Sequence, residues 1–200
     1  MQSVDFYYDF SSTNSYFAAF MLPEICARSG AAMSWLPLHS AGLFRGTGFD
    51  VMAMTPRKAR YLWRDHARYA EATGLPFRRP SRFPIKTALA LRCVLAVDRP
   101  GTKDEDRARM DLSQALFRSY WERDENIADP EVLAGLISGI RLDPGAIIDR
   151  ANVRLSGTLT LASRMDGRVL YLNETHFGGV SGWTCTRFPP GLTRPTRFTY

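Results

Sequence analysis

The stretch VDFYYDFSSTNSY, residues 4–16, decides the fold. Val4, Phe6, Tyr8 and Phe10 alternate along one face of a strand, with Tyr7 and Asp9 on the other, the period expected of a β-strand with one buried side. The alternation stops at Ser11-Ser12-Thr13-Asn14, and Tyr16, Phe17, Phe20, Met21 and Leu22 then recur at helical spacing. A strand therefore turns directly into a helix, with hydroxyl and amide side chains at the helix start. Helix N-termini carry unpaired N–H groups and the positive end of the macrodipole, so this turn favours an anion.

Outward from the turn, the helix is expected over about Ser15 to Arg28, with Ser29-Gly30 as its C-cap. Ala31 to Leu38 reads as a second strand whose end is weakened by Pro37. Strand, helix and strand at this spacing make a βαβ unit with parallel strands. His39 to Thr55 reads as a long loop with glycines at 42, 46 and 48 but no phosphate-binding glycine pattern; Arg45 is its cation, suited to a carboxylate. Thr55 and Pro56 then begin a helix that Gly74 ends. Its apolar side carries Ala59, Leu62, Trp63, His66, Ala67 and Ala70, while Arg57, Lys58, Arg60, Arg64 and Arg68 read as a solvated face. Leu75 to Pro84 is a proline-punctuated connector. Helices follow over about 86–97, 102–122 and 131–137, the last capped by Asp129, with another from Gly145. Residues 55–150 thus form an all-α block of four or five helices inserted after the βαβ unit.

The totals bound the class. Two hundred residues with 45% hydrophobic content suit one domain, or one domain carrying a large insertion, that buries a proper core, and the βαβ unit puts it in the α/β class. No apolar run approaches the ~20 residues of a membrane span, and no signal-peptide pattern opens the chain, so the sequence is read as soluble and cytoplasmic, with no membrane partner. Cys26, Cys93 and Cys185 are three, with no CxxC pair, so they propose no disulfide framework, zinc site or dithiol centre. His39, His66 and His176 are too scattered to propose a metal site. The net charge is +6, but only +2 of it lies in residues 1–150, which is poor support for nucleic-acid binding.

The chain resembles the 2-hydroxychromene-2-carboxylate isomerases and the related kappa-class glutathione transferases. The resemblance rests on VDFYYDFSSTNSYFAA (4–19), LFRGTG (43–48), TPRKARYLWRDHARYAEATGLPFRRPSRFP (55–84), ALALRCVLA (88–96) and ALFRSYWERDENIADPEVLAGL (115–136). It implies a DsbA-like, thioredoxin-like fold with a helical domain inserted in its middle: residues 1–54 as the N-terminal thioredoxin-like part, 55–150 as the insertion, and 151–200 where the rest of the thioredoxin-like domain is due. It also implies glutathione as cofactor, a small aromatic substrate, and a homodimer. In thioredoxin folds the turn after the first strand carries CxxC; here it reads Ser12-Thr13-Asn14-Ser15, which cannot form a disulfide. The resemblance gives Ser12 the role of facing the glutathione sulfur, where a helix-terminal hydroxyl donates to a thiolate and the dipole lowers the thiol pKa. Asn14 and Arg45 are the further candidates for binding the cofactor; Ser12 or Asn14 as a plain helix cap is the alternative. Trp35, Phe44 and Phe83 are candidate walls of the substrate pocket, with core packing as the other reading of each.

Several positions depart from the family pattern. Thr13 stands where proline is common, Arg45 where lysine is, and Phe49 and Lys86 where asparagine is. From about Ala151 the resemblance stops. The expected cis-proline segment, hairpin and last helix are not in register, so the C-terminal ββα half of the fold is not visible. Pro189, Pro190 and Pro195 are the only prolines of this tail, and no strand is read after them. Trp183 is encoded only by TGG, and with Thr184 (ACN) the triplet shifted one base upstream is GAC, aspartate. Continued back to His176, the shifted frame permits Phe-Trp-Gly-x-Glu-Arg-Leu-Asp, close to the family's missing segment. The sequence therefore suggests a tail translated, at least in part, out of frame. A thioredoxin-fold protein that does not catalyse, lacking the glutathione clamp, is the rival to a glutathione-dependent isomerase or transferase.

Overall fold

The computed structural model describes residues 3–47, 53–97, 105–156, 159–165, 168–177, 180–188 and 196–198. Strand β1 (Ser3–Tyr8) leads into helix α1 (Thr13–Ser29) and strand β2 (Ala32–Pro37). β1 and β2 pair in parallel, with Phe6 opposite Trp35 and Tyr8 opposite Pro37, so the expected βαβ unit is present. α1 ends on Gly30 at φ 68°, and Gly30 and Ala31 donate to the carbonyls of Ala27 and Cys26. Only glycine takes that left-handed backbone without strain.

Phe6, Tyr8 and Phe10 are buried as the alternation demands, and the Trp35 ring meets Phe6 and Tyr8 edge-on with centroids 5.1 and 5.5 Å apart. The Tyr8 hydroxyl lies 2.6 Å from Ser113 Oγ, and Ser113 in turn donates to the carbonyl of Arg109 at 2.7 Å. Ser113 has one hydrogen, so Tyr8 is the donor between the two. The buried phenol is thereby satisfied, as a polar group in a core must be.

The expected loop at 39–55 contains a helix, α2 (Ser40–Thr47). The correction has a physical reason: the first amide of α2 is capped by Asp9, far away in the sequence, so local spacing gave no start signal. α3 (Pro56–Thr73) begins at its Thr55 cap and ends on Gly74 at φ 68°. α4 (Ala88–Ala96), α5 (Glu105–Trp121), α6 (Pro130–Gly139) and α7 (Pro144–Ser156) complete five helices among the described residues between 56 and 156. α5 presents buried Leu112, Leu116, Phe117, Tyr120 and Trp121, one stripe at helical spacing, and α4 is buried over most of its length. Phe117 meets Phe10 at 4.9 Å, so the helical block and the βαβ unit share one core.

The tail is strand-forming, and a short strand follows Pro195, where the sequence reading placed none. β3 (Leu159–Met165), β4 (Arg168–Phe177), β5 (Val180–Phe188) and β6 (Thr196–Phe198) pair antiparallel in chain order. This four-stranded sheet is separate from β1–β2. Pro189, Pro190 and Pro195 lie outside the described residues, as does Phe49.

Candidate functional site

The turn between β1 and α1 is built around a carboxylate. Asp9 is 3% exposed. Its Oδ1 accepts from the amide and hydroxyl of Ser11 at 3.0 and 3.1 Å, and its Oδ2 from the amide and hydroxyl of Ser40 at 2.8 and 2.6 Å. Four donors surround one side chain, and two come from the start of α2. Asp9 therefore locks the approach to α1 onto α2 by charge-assisted bonds. The amide of Ser12 also donates to the Asp9 carbonyl at 3.0 Å, which closes the turn.

Ser12 is the N-cap of α1. Its backbone is extended at φ −94° and ψ 118°, its Oγ accepts from the Ser15 amide at 3.2 Å, and its carbonyl accepts from Tyr16 at 3.1 Å. A hydroxyl that accepts still has its own hydrogen to give. Among the described residues that hydrogen has no acceptor, and neither do the amides of Thr13 and Asn14. Three donors are thus free at the positive end of a 17-residue helix.

The surroundings of the turn are aromatic. Trp121 donates its indole N–H to the Phe10 carbonyl at 2.9 Å, tying α5 to the residue two before Ser12. Phe77 stacks on Trp121 at 5.8 Å, and Trp63 meets Phe83 edge-on at 5.0 Å. The Tyr16 hydroxyl donates to the Pro76 carbonyl and lies 3.1 Å from Glu122 Oε1. Burial, reinforced by the Glu122 charge, pushes this phenol well above its usual pKa, so it stays protonated. His66 lies among Phe17, Trp63 and Phe77, and burial lowers its pKa from 6.5, with Asp65 opposing.

The candidate residues fall into different places. Asn14 is exposed on α1 and borders a groove of about 570 Å³ between α1 and α3, with Phe17, Met21, Leu62, His66 and Tyr69 among its lining. Phe83 is 37% exposed beside Trp63 and Trp121. Phe44 is half-buried on α2. Arg45 belongs to α2, but its side chain lies outside the described residues. Trp35 is 2% exposed and enclosed by Phe6 and Tyr8, which agrees with core packing, the other of its two sequence readings. Asp9 and Trp121 are the residues that sequence reasoning missed as neighbours of the turn. A single aspartate ending an apolar alternation was the available signal for Asp9.

Cys26 and Cys93 are free and buried, and burial raises the Cys93 thiol to about 11. Among the described residues no group of three His, Cys, Asp or Glu side chains could hold a metal ion, and no helix is long and apolar enough to cross a membrane.

A family profile described as the DSBA-like thioredoxin domain matches residues 3–152. No curated protein matches the sequence. Among solved structures, a 2-hydroxychromene-2-carboxylate isomerase aligns with a TM-score of 0.64 and 19% identity, over 76% of this chain and 71% of that one. A putative protein disulfide isomerase from Nitrosomonas europaea aligns at 0.53 and 13% identity, over 90% and 87%. The cytosolic disulfide reductase DsbM from Pseudomonas aeruginosa with GSH aligns at 0.51 and 18% identity, over 78% and 72%. These likenesses establish the thioredoxin-like fold, and the profile covers three-quarters of the sequence. The chain belongs to the DSBA-like thioredoxin-domain family.

Proposed function

We propose that this chain is a glutathione-dependent isomerase or transferase acting on a small unsaturated aromatic compound. The observation that carries the reading is the Ser12 cap: a hydroxyl with its hydrogen free, flanked by the free amides of Thr13 and Asn14, at the position where thioredoxin folds keep a cysteine. The donor set fits a thiolate, since all three groups donate and the helix dipole adds positive potential. Glutathione, when bound, supplies a nucleophile that adds reversibly to an electrophilic carbon, which lets a double bond rotate or a conjugate form.

The residues of the chain then have separable tasks. Ser12 donates to the sulfur and favours its ionised form. Asn14 and Arg45 bind the peptide part of the cofactor, and Phe44 and Phe83 border the aromatic substrate. Asp9 keeps the turn in place, and the Tyr16 phenol, held protonated, adds no competing negative charge. The solved relative bound to GSH supports the cofactor, and the isomerase likeness supports the substrate class. Disulfide exchange of the kind named for other neighbours is disfavoured by Ser12 and Ser15 at the two cysteine positions. The division into residues 1–54, 55–150 and 151–200, a homodimeric state and a cytoplasmic location belong to the same proposal.

A second reading rests on a specific observation. The profile match ends at 152, and β3–β6 form a sheet of their own, so the chain supports a non-catalytic thioredoxin-fold protein if nothing completes the glutathione site. Retention on a glutathione column together with conjugation of 1-chloro-2,4-dinitrobenzene, both lost in Ser12→Ala, supports the enzyme. No retention and no conjugation by the wild type supports the second reading.

A further inference from the structure

We infer that the groove between α1 and α3 is a binding site for a neutral aliphatic alcohol, with its chain along α1 and its hydroxyl at the His66 end. The site goes beyond the function proposed above and does not depend on it.

The groove has a volume of about 570 Å³, which is the size of a small-molecule site. Its α1 wall carries Phe17, Met21, Leu22 and Ile25 at helical spacing, and Leu62 and Tyr69 of α3 stand across from them. The ring of Phe17 meets His66 at 6.4 Å and Tyr69 at 4.8 Å, and the Tyr69 hydroxyl donates to the Met21 sulfur at 3.3 Å. Advancing along α1 from Phe17 to Met21 thus advances α3 from His66 to Tyr69. Asn14 and Asp65 therefore stand toward one end of the groove and Ile25 at the other. The distance between these ends is roughly 16 Å along α1.

The apolar end asks for a chain. Ile25 and Tyr69 are 44% and 45% exposed, and a flexible aliphatic segment laid along α1 covers both. Met21, unbranched and adaptable, shapes itself to such a chain. The polar end asks for an uncharged head group. Asp65 lines the groove without an ion pair, and among the described residues the lining carries no cation. A carboxylate head would meet the charge of Asp65 with nothing in the lining to offset it, and an ammonium head would meet Arg64 and Arg68, which flank Asp65 on the exposed side of α3. His66 supplies the neutral partner. Burial lowers its pKa from 6.5, so the ring is uncharged at neutral pH, and its Nδ1 is buried without a hydrogen-bond partner. An unpartnered polar atom in the wall of a groove marks the place of a ligand's polar group. A neutral imidazole has one donor and one acceptor, and a hydroxyl can match either.

The test is an NMR titration of the full chain, with its methionine methyl groups labelled, using 1-octanol and its charged counterpart octanoate. Octanol is expected to shift the Met21 methyl signal saturably, and octanoate to bind roughly tenfold more weakly. Asp65→Asn is expected to strengthen octanoate binding while leaving octanol nearly unchanged. Ile25→Glu puts a charge at the chain end of the groove and is expected to weaken octanol roughly tenfold. The inference is overturned by the absence of a saturable octanol shift in the wild type, by octanoate binding as tightly as octanol, or by equal octanol affinity in Ile25→Glu. Asp65 is exposed, so Asp65→Asn keeps the test decisive should Ile25→Glu fail to fold. Sedimentation supplies the other outcome: a dimer that Ile25→Glu dissociates, in a chain that binds no octanol, overturns the inference and gives the groove to a second copy.

Discussion

Replacing Asp9 by alanine tests whether one buried carboxylate holds the site together. The substitution removes the acceptor of four donors, two amides and two hydroxyls from Ser11 and Ser40. The hydroxyls can turn to other acceptors, but the amides are fixed by the backbone. Each buried donor left without a partner costs about 1–3 kcal/mol, and bonds to a charged acceptor lie in the upper half of that range, so Asp9→Ala is expected to lose about 3–5 kcal/mol. Asp9→Asn keeps one carboxamide oxygen for one serine and turns an NH2 group toward the other. There the hydroxyl can accept but the amide cannot, so the loss is about 2 kcal/mol. Urea unfolding followed by far-UV circular dichroism measures both, since the midpoint falls with stability at constant slope. Ser40→Ala supplies the control: costly in the wild type, it becomes nearly neutral in the Asp9→Ala background if the two side chains act as a pair. An Asp9→Ala protein within about 1 kcal/mol of the wild type refutes this account of the turn.

Three further outcomes follow from the same structure. Iodoacetamide at pH 8 is expected to leave Cys26 and Cys93 unlabelled in the native protein and to label both in urea, read by peptide mass spectrometry; native labelling of Cys93 contradicts its buried, raised thiol. The His66 ring is expected to titrate below 6.5 by NMR. Because the unfolded chain then takes up a proton before the native one does, His66 lowers stability as pH falls through about 6.5; a native midpoint at or above that value reverses the sign. For the tail, sequencing of the coding DNA together with intact mass is expected to reveal a frame change near codon 151, and an unbroken frame through Tyr200 with matching mass ends that idea.

Much of the fold was legible because its signals are local. The alternation at 4–10, the Ser12 and Thr55 caps, and the glycines at 30 and 74 each mark their element by chemistry within a few residues, and the observed bounds fall within about three residues of the reading. α2 was not legible, because its start is satisfied by Asp9 from another element. The strands of the tail had signals that went unread: Asp166-Gly167 and Gly178-Gly179, hairpin dipeptides, stand between β-rich segments. The Ser12 position was readable from its turn, whereas the aromatic neighbours contributed by α3, α5 and the 75–84 connector depend on tertiary packing. Trp35 and Phe83 illustrate the limit. Both are aromatic residues near strand or connector ends, yet one is enclosed by the core and the other stands at the surface beside Trp63.

The central claim is that Ser12 stabilises a glutathione thiolate. Ultraviolet absorbance of the thiolate near 240 nm, titrated over pH for glutathione bound to the full chain, measures this directly. A free thiol of this type ionises near 8.5, and the helix terminus with its three donors is expected to bring the bound thiol below about 7.5. In Ser12→Ala the value is expected to return toward about 8.5. A wild-type complex that ionises like free glutathione, or an Ser12→Ala complex indistinguishable from the wild type, contradicts the account.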